Sequence, residues 1–273
     1  MPSAASSDSR LRREDLIGTG LTSEVFSWGE ERVLKLFFSW VSRATIQREF
    51  LVSQSIRATG VAMPATFELV EIEKRQGIVF ERIRGESLLH RVERRPWQLF
   101  RGARQLAELH ARVHFRCAPV NLPTQHEQLE GWIERAEDFT DDQKAAARRH
   151  LQQLPAGRVL CHGDFHPGNI LLTPLGPVII DWSAATRGHA LADVARTSVL
   201  FESASLPPTT PIHIKLLMKI ARRLLHKTYL RRYLELCPGS LQEIEFWRVV
   251  QRMGGSAWRA ARKAAVRKAE TPL

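Results

Sequence analysis

Nowhere in its 273 residues does the chain hold an uninterrupted apolar run of the roughly 20 residues that a membrane span needs. The stretch Val33-Leu-Lys-Leu-Phe-Phe-Ser-Trp-Val41 is short and broken by Lys35, so a protein without a membrane span is expected. Cysteine is equally scarce: Cys117, Cys161 and Cys237 are odd in number, far apart and without CxxC spacing. That excludes a disulfide framework or a zinc cage and fits a reducing cytoplasm. The opening residues lack an apolar stretch before a small-residue cleavage site, so no secretory signal is expected, and residues 1–13 read as a flexible head. No repeat recurs at a solenoid or propeller period. What is present is an apolar content of 44%, enough for a substantial core in one two-lobed domain or two small ones.

The net charge of +11 suggests nucleic acid until it is located along the chain. Residues 212–273 carry 14 Lys or Arg against four Glu, so +10 of the excess lies there and the first 211 residues are nearly balanced. The end of the chain, from Trp258 to Glu270, has helix-forming composition with charges facing several ways. It reads either as a solvated basic helix or as a patch for an anionic substrate, lipid or nucleic acid.

From Leu16 to about Phe80, strand patterns alternate with glycine turns. Glu24–Trp28 and Arg32–Phe37 form a hairpin across Gly29-Glu30-Glu31, and further strands are expected at Ala65–Ile72 and Gly77–Ile83. One helix, Arg43 to about Ala58, is bounded by Ser42 as N-cap and Gly60 as stop. Beyond Gly85 the pattern becomes helical, with helices expected at Trp97–His114, Glu127–Leu154 and Ile214–Leu236. The last of these carries an apolar stripe of Leu217, Ala221, Leu224 and Leu225. Within this helical half lies one β-like island, Val159–Asp181.

The island reads Val-Leu-Cys-His162-Gly-Asp164-Phe-His166-Pro-Gly-Asn169, an apolar strand, a Pro/Gly turn, and Val-Ile-Ile-Asp181-Trp182. Transfer of a γ-phosphoryl group needs a carboxylate to orient the attacking hydroxyl and accept its proton. It also needs hard oxygen ligands that hold Mg²⁺ on the phosphates. Asp164 suits the first role, Asn169 and Asp181 the second. The alternating His162, Asp164 and His166 could also be imagined as a transition-metal site, but spacing places no fourth ligand.

With His162-Gly-Asp-x-x-x-x-Asn169 and Ile180-Asp-Trp182 on one island, the sequence resembles the aminoglycoside phosphotransferase and choline kinase-like family, distant relatives of protein kinases. The resemblance spans about residues 14–205 and implies an α+β, two-lobed protein kinase-like fold. Residues 14–84 would form an N-terminal nucleotide-binding lobe, a small antiparallel sheet with one helix and the hinge. Residues 85–273 would form a larger, mainly helical catalytic and acceptor-binding lobe. It further implies an ATP- and Mg²⁺-dependent phosphotransferase acting on an alcohol group. Gly18, Gly20 and Ser23 would then cover the phosphates, Ser23 standing where a protein kinase has a third glycine.

Lys35 interrupts a strand otherwise apolar on both faces, so either it has a buried counter-charge or the strand lies at an edge with Lys35 in solvent. The resemblance names Glu49 as the partner, with Lys35 on the α- and β-phosphates, and the backbone near Glu81 to Ile83 as the adenine contact. It also implies that His162 braces the catalytic loop and that Asp193 holds that loop or caps a helix. Ser183 and His189-Ala190 depart from the acidic residue and Asp-Pro usual in this family, which bears on local geometry and acceptor choice.

The acceptor is expected to be a small molecule with a hydroxyl, and the fold alone does not select it. A polycationic aminoglycoside would want carboxylates, and the basic C-terminal segment opposes that. The stretch Glu127, Glu130, Glu134, Glu137, Asp138, Asp141 and Asp142 supplies either a local acidic pocket or a solvated helix face. The other class of function is a catalytically silent kinase-like module that binds an anionic partner through its basic C-terminal segment.

Overall fold

The computed structural model describes residues 12–203 and 209–254. Most of the expected head, residues 1–11, and the basic segment 258–270 lie outside these. The chain divides into two compact units, Met1–Leu51 with Pro64–Ile83, and Val52–Met63 with Arg84–Leu273. No helix of the described residues is long and apolar enough to cross a membrane.

The first unit is a five-stranded antiparallel sheet: β1 (Leu16–Thr19), β2 (Ser23–Ser27), β3 (Arg32–Phe37), β4 (Thr66–Ile72) and β5 (Arg75–Glu81). Their spatial order is β1-β2-β3-β5-β4. β3 is therefore central, with Lys35 opposite Val25 on one side and Ile78 on the other, which removes the edge-strand reading. The hairpin turns at Gly29, whose φ of 72° suits a residue without Cβ. β5 begins two residues earlier than expected. Glu73 and Lys74 both take positive φ, forming a tight primed turn that puts Arg75 directly opposite Ile72. Alternation along β3 sorts its side chains: Leu34 and Leu36 pack with Phe26 and Val79, while Phe37 packs with Ile78 and Ile46 of helix α1 (Arg43–Arg57). Ser42 does cap α1, accepting from Thr45 N at 3.2 Å, and Gly60 ends the turn beyond it with φ 75°.

The second unit is mainly helical: α2 (Leu88–Arg94), α3 (Leu99–His114), α4 (Gln125–Glu134), α5 (Asp141–Gln153), α6 (Ala190–Ser203), α7 (Ile212–Leu236) and α8 (residues 241–254). Among them lie short strands β6 (Glu86–Ser87), β7 (Val159–Cys161), β8 (Ile170–Thr173), β9 (Gly176–Ile179) and β10 (Thr186–Gly188). β6, β8 and β9 form one small sheet, β7 and β10 another. The single helix expected over Glu127–Leu154 is two. Thr140 starts the second with a full capping box to Gln143, and that reciprocal pair outweighs the helix-forming residues around it. The stripe expected on α7 packs only in part: Leu225 is buried and Ala221 lies against the core. Leu217 and Leu224 are exposed, and the face that packs is Leu225, Tyr229 and Tyr233, because α3 meets α7 there.

Candidate active site

Between β7 and β8 the chain runs through residues 162–169, and this loop is fastened from below by α6. Asp193, completely buried, accepts His162 N at 2.6 Å and Gly163 N at 2.9 Å. Spacings of three and four residues, each about one turn, bring Arg196 and Thr197 to the same face, where they donate to Gly163 O and Phe165 O at 3.2 and 2.9 Å. Gly163 has φ 79°, and a Cβ there would stand 2.3 Å from Ala184 O, so no other residue fits the turn.

A second layer holds Asp193. His110 and His114 of α3 approach its Oδ2 at 3.0 and 3.3 Å through Nε2, while their Nδ1 atoms meet Tyr229 and Tyr233 hydroxyls at 2.7 and 2.6 Å. Burial drives His110 down to about 3, so it is neutral. Burial alone would raise Asp193, but the bonds from His110 and His114 hold it well below the usual carboxylate range. His110 therefore donates through Nε2 to the carboxylate and accepts from Tyr229 at Nδ1, and His114 Nε2 donates to the same carboxylate. These three side chains bring metal-type ligand atoms within 4.8 Å of one another, but hydrogen bonds already match every one of them. Among the described residues His162, Asp164 and His166 form no such group.

His162 is fully buried, and burial lowers its pKa. Its Nε2 lies 3.1 Å from Ile180 O and so carries the proton, and Nδ1 accepts Asp164 N at 3.2 Å. This one ring links the loop to the residue before Asp181. Asn169, buried at the end of a 3-10 turn, donates through Nδ2 to Asp164 O at 2.9 Å and Oδ2 at 3.3 Å. Both partners are acceptors, which fixes the amide orientation and turns Oδ1 away from them. Asp181 is exposed, with φ 60°. A left-handed aspartate is strained backbone, held here by β9 on one side and buried Trp182 on the other. Burial pushes the Asp164 carboxyl up, but His166, His162 and Arg196 together bring it below its ordinary value, leaving it ionised. His166 Nε2 lies 3.6 Å from Asp164 Oδ2.

In the first unit Lys35 Nζ meets Glu49 Oε1 at 2.7 Å, with the two side chains 14% and 9% exposed. The turn between β1 and β2 is closed by Gly20 N to Ser23 O at 2.8 Å, and Ser23 is buried. A Cβ on Gly18 would meet nothing within 4 Å, and one on Gly20 would approach only Ser23. The protein's own packing thus explains neither glycine. Of the residues expected to form the hinge, Glu81 has its N–H engaged by Ala65 O and Arg82 by Glu31 O, whereas Ile83 N–H carries no protein hydrogen bond among the described residues.

The acidic stretch does structural work. Glu127 closes the α4 capping box, Glu130 and Glu134 pair with Arg148, and Asp141 and Asp142 sit in the first turn of α5, where carboxylates suit the helix dipole. Sequence reading missed Arg196, Thr197, His114 and the two tyrosines. A signal existed on α6, where Asp193, Arg196 and Thr197 form a polar face at helical spacing.

Similar architecture recurs in solved structures. A thermostable mutant of the aminoglycoside phosphotransferase APH(4)-Ia, in ternary complex with ADP and hygromycin B, is 17% identical with TM-score 0.60, covering 97% of this chain and 95% of that one. The amicoumacin kinase hAmiN, in complex with AMP-PNP, Ca²⁺ and Ami, is 14% identical with TM-score 0.61, covering 92% and 82%. A choline/ethanolamine kinase family protein from Mesorhizobium loti is 18% identical with TM-score 0.58, covering 98% and 90%. At these identities the likeness is one of fold, and it defines the α+β kinase-like class. The family itself follows from sequence: residues 16–213 match the profile of the phosphotransferase enzyme family, APH, and the chain belongs to it. No curated protein matches the chain.

Proposed function

We propose that the chain transfers the γ-phosphoryl group of Mg²⁺-ATP to a hydroxyl of a small molecule. The observation that carries this reading is the loop 162–169, where an ionised Asp164 and an oriented Asn169 are clamped by Asp193, Arg196 and Thr197. The carboxylate of Asp164 accepts the hydrogen bond of the acceptor hydroxyl, aims its oxygen at the phosphorus, and takes the proton as the new P–O bond forms. Held below its usual pKa, it is a weak base toward a free alcohol. Its main contribution is therefore orientation, and proton transfer comes late.

Asn169 Oδ1 and the Asp181 carboxylate are hard oxygen donors of the kind Mg²⁺ takes, so this donor set fits the ion, which when bound neutralises phosphate charge. Lys35, held by Glu49, supports the α- and β-phosphates. Gly18 and Gly20, which packing leaves unexplained, let the backbone at Ser23 approach them. Ile83 N–H is the adenine donor, the Glu81 N–H being occupied.

With Glu127, Glu130 and Glu134 engaged in caps and ion pairs, the acidic stretch offers a polycation little. Neutral or anionic acceptors, such as sugars or amino alcohols of the homoserine kind, fit better than hygromycin-like aminoglycosides. The test is ADP release with Mg²⁺-ATP across aminoglycosides, macrolides, choline, homoserine and simple sugars, beside Asp164→Ala. Acceptor-dependent release should fall by about 10²- to 10⁴-fold in that variant with nucleotide binding kept. Undiminished turnover would remove Asp164 from the mechanism. Nucleotide binding without release to any acceptor would instead favour a silent module.

A further inference from the structure

We infer that a cavity between α2 and α3 binds a small soluble polyanion, a compound bearing two or more phosphate groups, at a site separate from Asp164. The cavity has a volume of about 770 Å³, within the range of small-molecule sites. Arg91 reaches it from α2, Arg95 from the residue that ends that helix, Gln98 from the 3-10 turn Pro96–Gln98, and Arg101, Arg104 and Gln105 from α3. Its floor is Leu88, Val92 and Gly102, and a Cβ on Gly102 would stand 2.9 Å from Val92 Cγ2, so the two helices close tightly beneath the arginines.

Charge balance here is unlike its surroundings. The first 211 residues carry a net charge near zero, yet residues 91–104 hold five Arg against the single Glu93. Arg91 is paired with Glu86 at 3.1 Å, and the carboxylate that lines the cavity, Glu108, is taken by Arg232 at 2.8 Å. Arg95, Arg101 and Arg104 have no ion pair among the described residues. Arg101 and Arg104 lie three apart on α3, a spacing at which like charges repel.

Arg101 also stands in the first turn of α3, the positive end of its dipole, where a cation is disfavoured. That helix starts with no side-chain cap at Gln98 and no acidic residue in its first turn. Three guanidiniums without an ion-paired carboxylate, lining one concavity with the amides of Gln98 and Gln105, are complementary to clustered phosphates.

The test is calorimetric titration of the full chain with inorganic tripolyphosphate at low salt, with and without Mg²⁺-AMP-PNP. The variants are Arg101→Glu/Arg104→Glu, both positions exposed, and Arg149→Glu on α5 as a control of equal charge change per site. One tripolyphosphate should bind in the presence of the nucleotide, at least tenfold more weakly to the double variant and within twofold of wild type for the control. Equal affinity across all three proteins, or no binding, would overturn the assignment. So would binding only to vesicles carrying a phosphoinositide, which would make the surface a membrane contact. The comparison among variants holds whether or not the chain transfers phosphate.

Discussion

The loop 162–169 and the glycine turn are held in opposite ways. Residues 162–165 are fastened by at least four hydrogen bonds from buried side chains of α6, and behind Asp193 stand two imidazoles and two tyrosines. Residues 18–22 are held by backbone bonds alone, the β1–β2 pairing at Gly18 and Thr19, Gly20 N to Ser23 O and Phe38 N to Thr22 O, and are open around Gly18. Both segments belong, in the function proposed, to the same reaction. A group that must aim at a reacting oxygen tolerates little displacement, whereas a loop that covers a ligand has to let it in and out. The contrast makes loop residues of the second unit candidates for coupled loss of stability and activity, and those of the first unit candidates for loss of function alone.

The sharpest break comes from Asp193→Ala. It leaves two backbone N–H groups and two imidazole N–H groups buried without an acceptor, and should cost about 3 to 5 kcal/mol of folding stability. Urea unfolding would read this, and phosphoryl transfer should vanish with it. A variant as stable as wild type would mean that the clamp is not structural. Next in size is Gly163→Ala, where positive φ and the 2.3 Å approach to Ala184 O together predict a loss of about 2 to 4 kcal/mol.

The readable part of the molecule was the part encoded locally. The hairpin at Gly29, the Ser42 cap and the island from Val159 to Asp181 each depend on residues a few positions apart, and pattern suffices for them. The α4–α5 break was hidden because Glu134 to Asp142 has helix-compatible composition and only the reciprocal bonds of Thr140 and Gln143 mark a new start. On α7, apolar residues occur on several sides, and only contact with α3 chooses the face of Tyr229 and Tyr233. The clamp unites α3, α6 and α7 across as many as 119 residues, a separation at which no spacing rule operates.

Acid separates the two units further, because all ten histidines lie from His90 onward and the first unit has none. His110 is held down to about 3 by burial, while in the unfolded chain it titrates near 6.5. Between those values the unfolded chain binds a proton that the folded chain refuses. Stability is thus complete above about pH 6.5 and falls as pH drops toward 3, with a slope approaching about 1.4 kcal/mol per pH unit for this residue. His162 and His226, also lowered by burial, add in the same direction. Asp193, a carboxylate held low, adds its loss only below about pH 4. Urea midpoints between pH 7.5 and 4.5 should fall steeply for wild type and less steeply for His110→Gln. An identical slope would mean that His110 is protonated in the fold.

The smallest structural effect should come from Gly18→Ala, and it tests the other half of the contrast. A methyl at this position meets nothing within 4 Å, and its backbone has no positive φ, so the unfolding midpoint should stay within about 0.5 kcal/mol of wild type. If the glycine serves a phosphate that approaches the backbone, the same methyl occupies that approach. KM for ATP should then rise several-fold while kcat changes little, the signature of lost binding rather than lost chemistry. The result that would erase the distinction is a destabilised protein with unaltered KM, because the glycine would then belong to the fold and the turn would be braced after all. Stability and KM measured on one preparation therefore decide whether the open turn is open for a ligand.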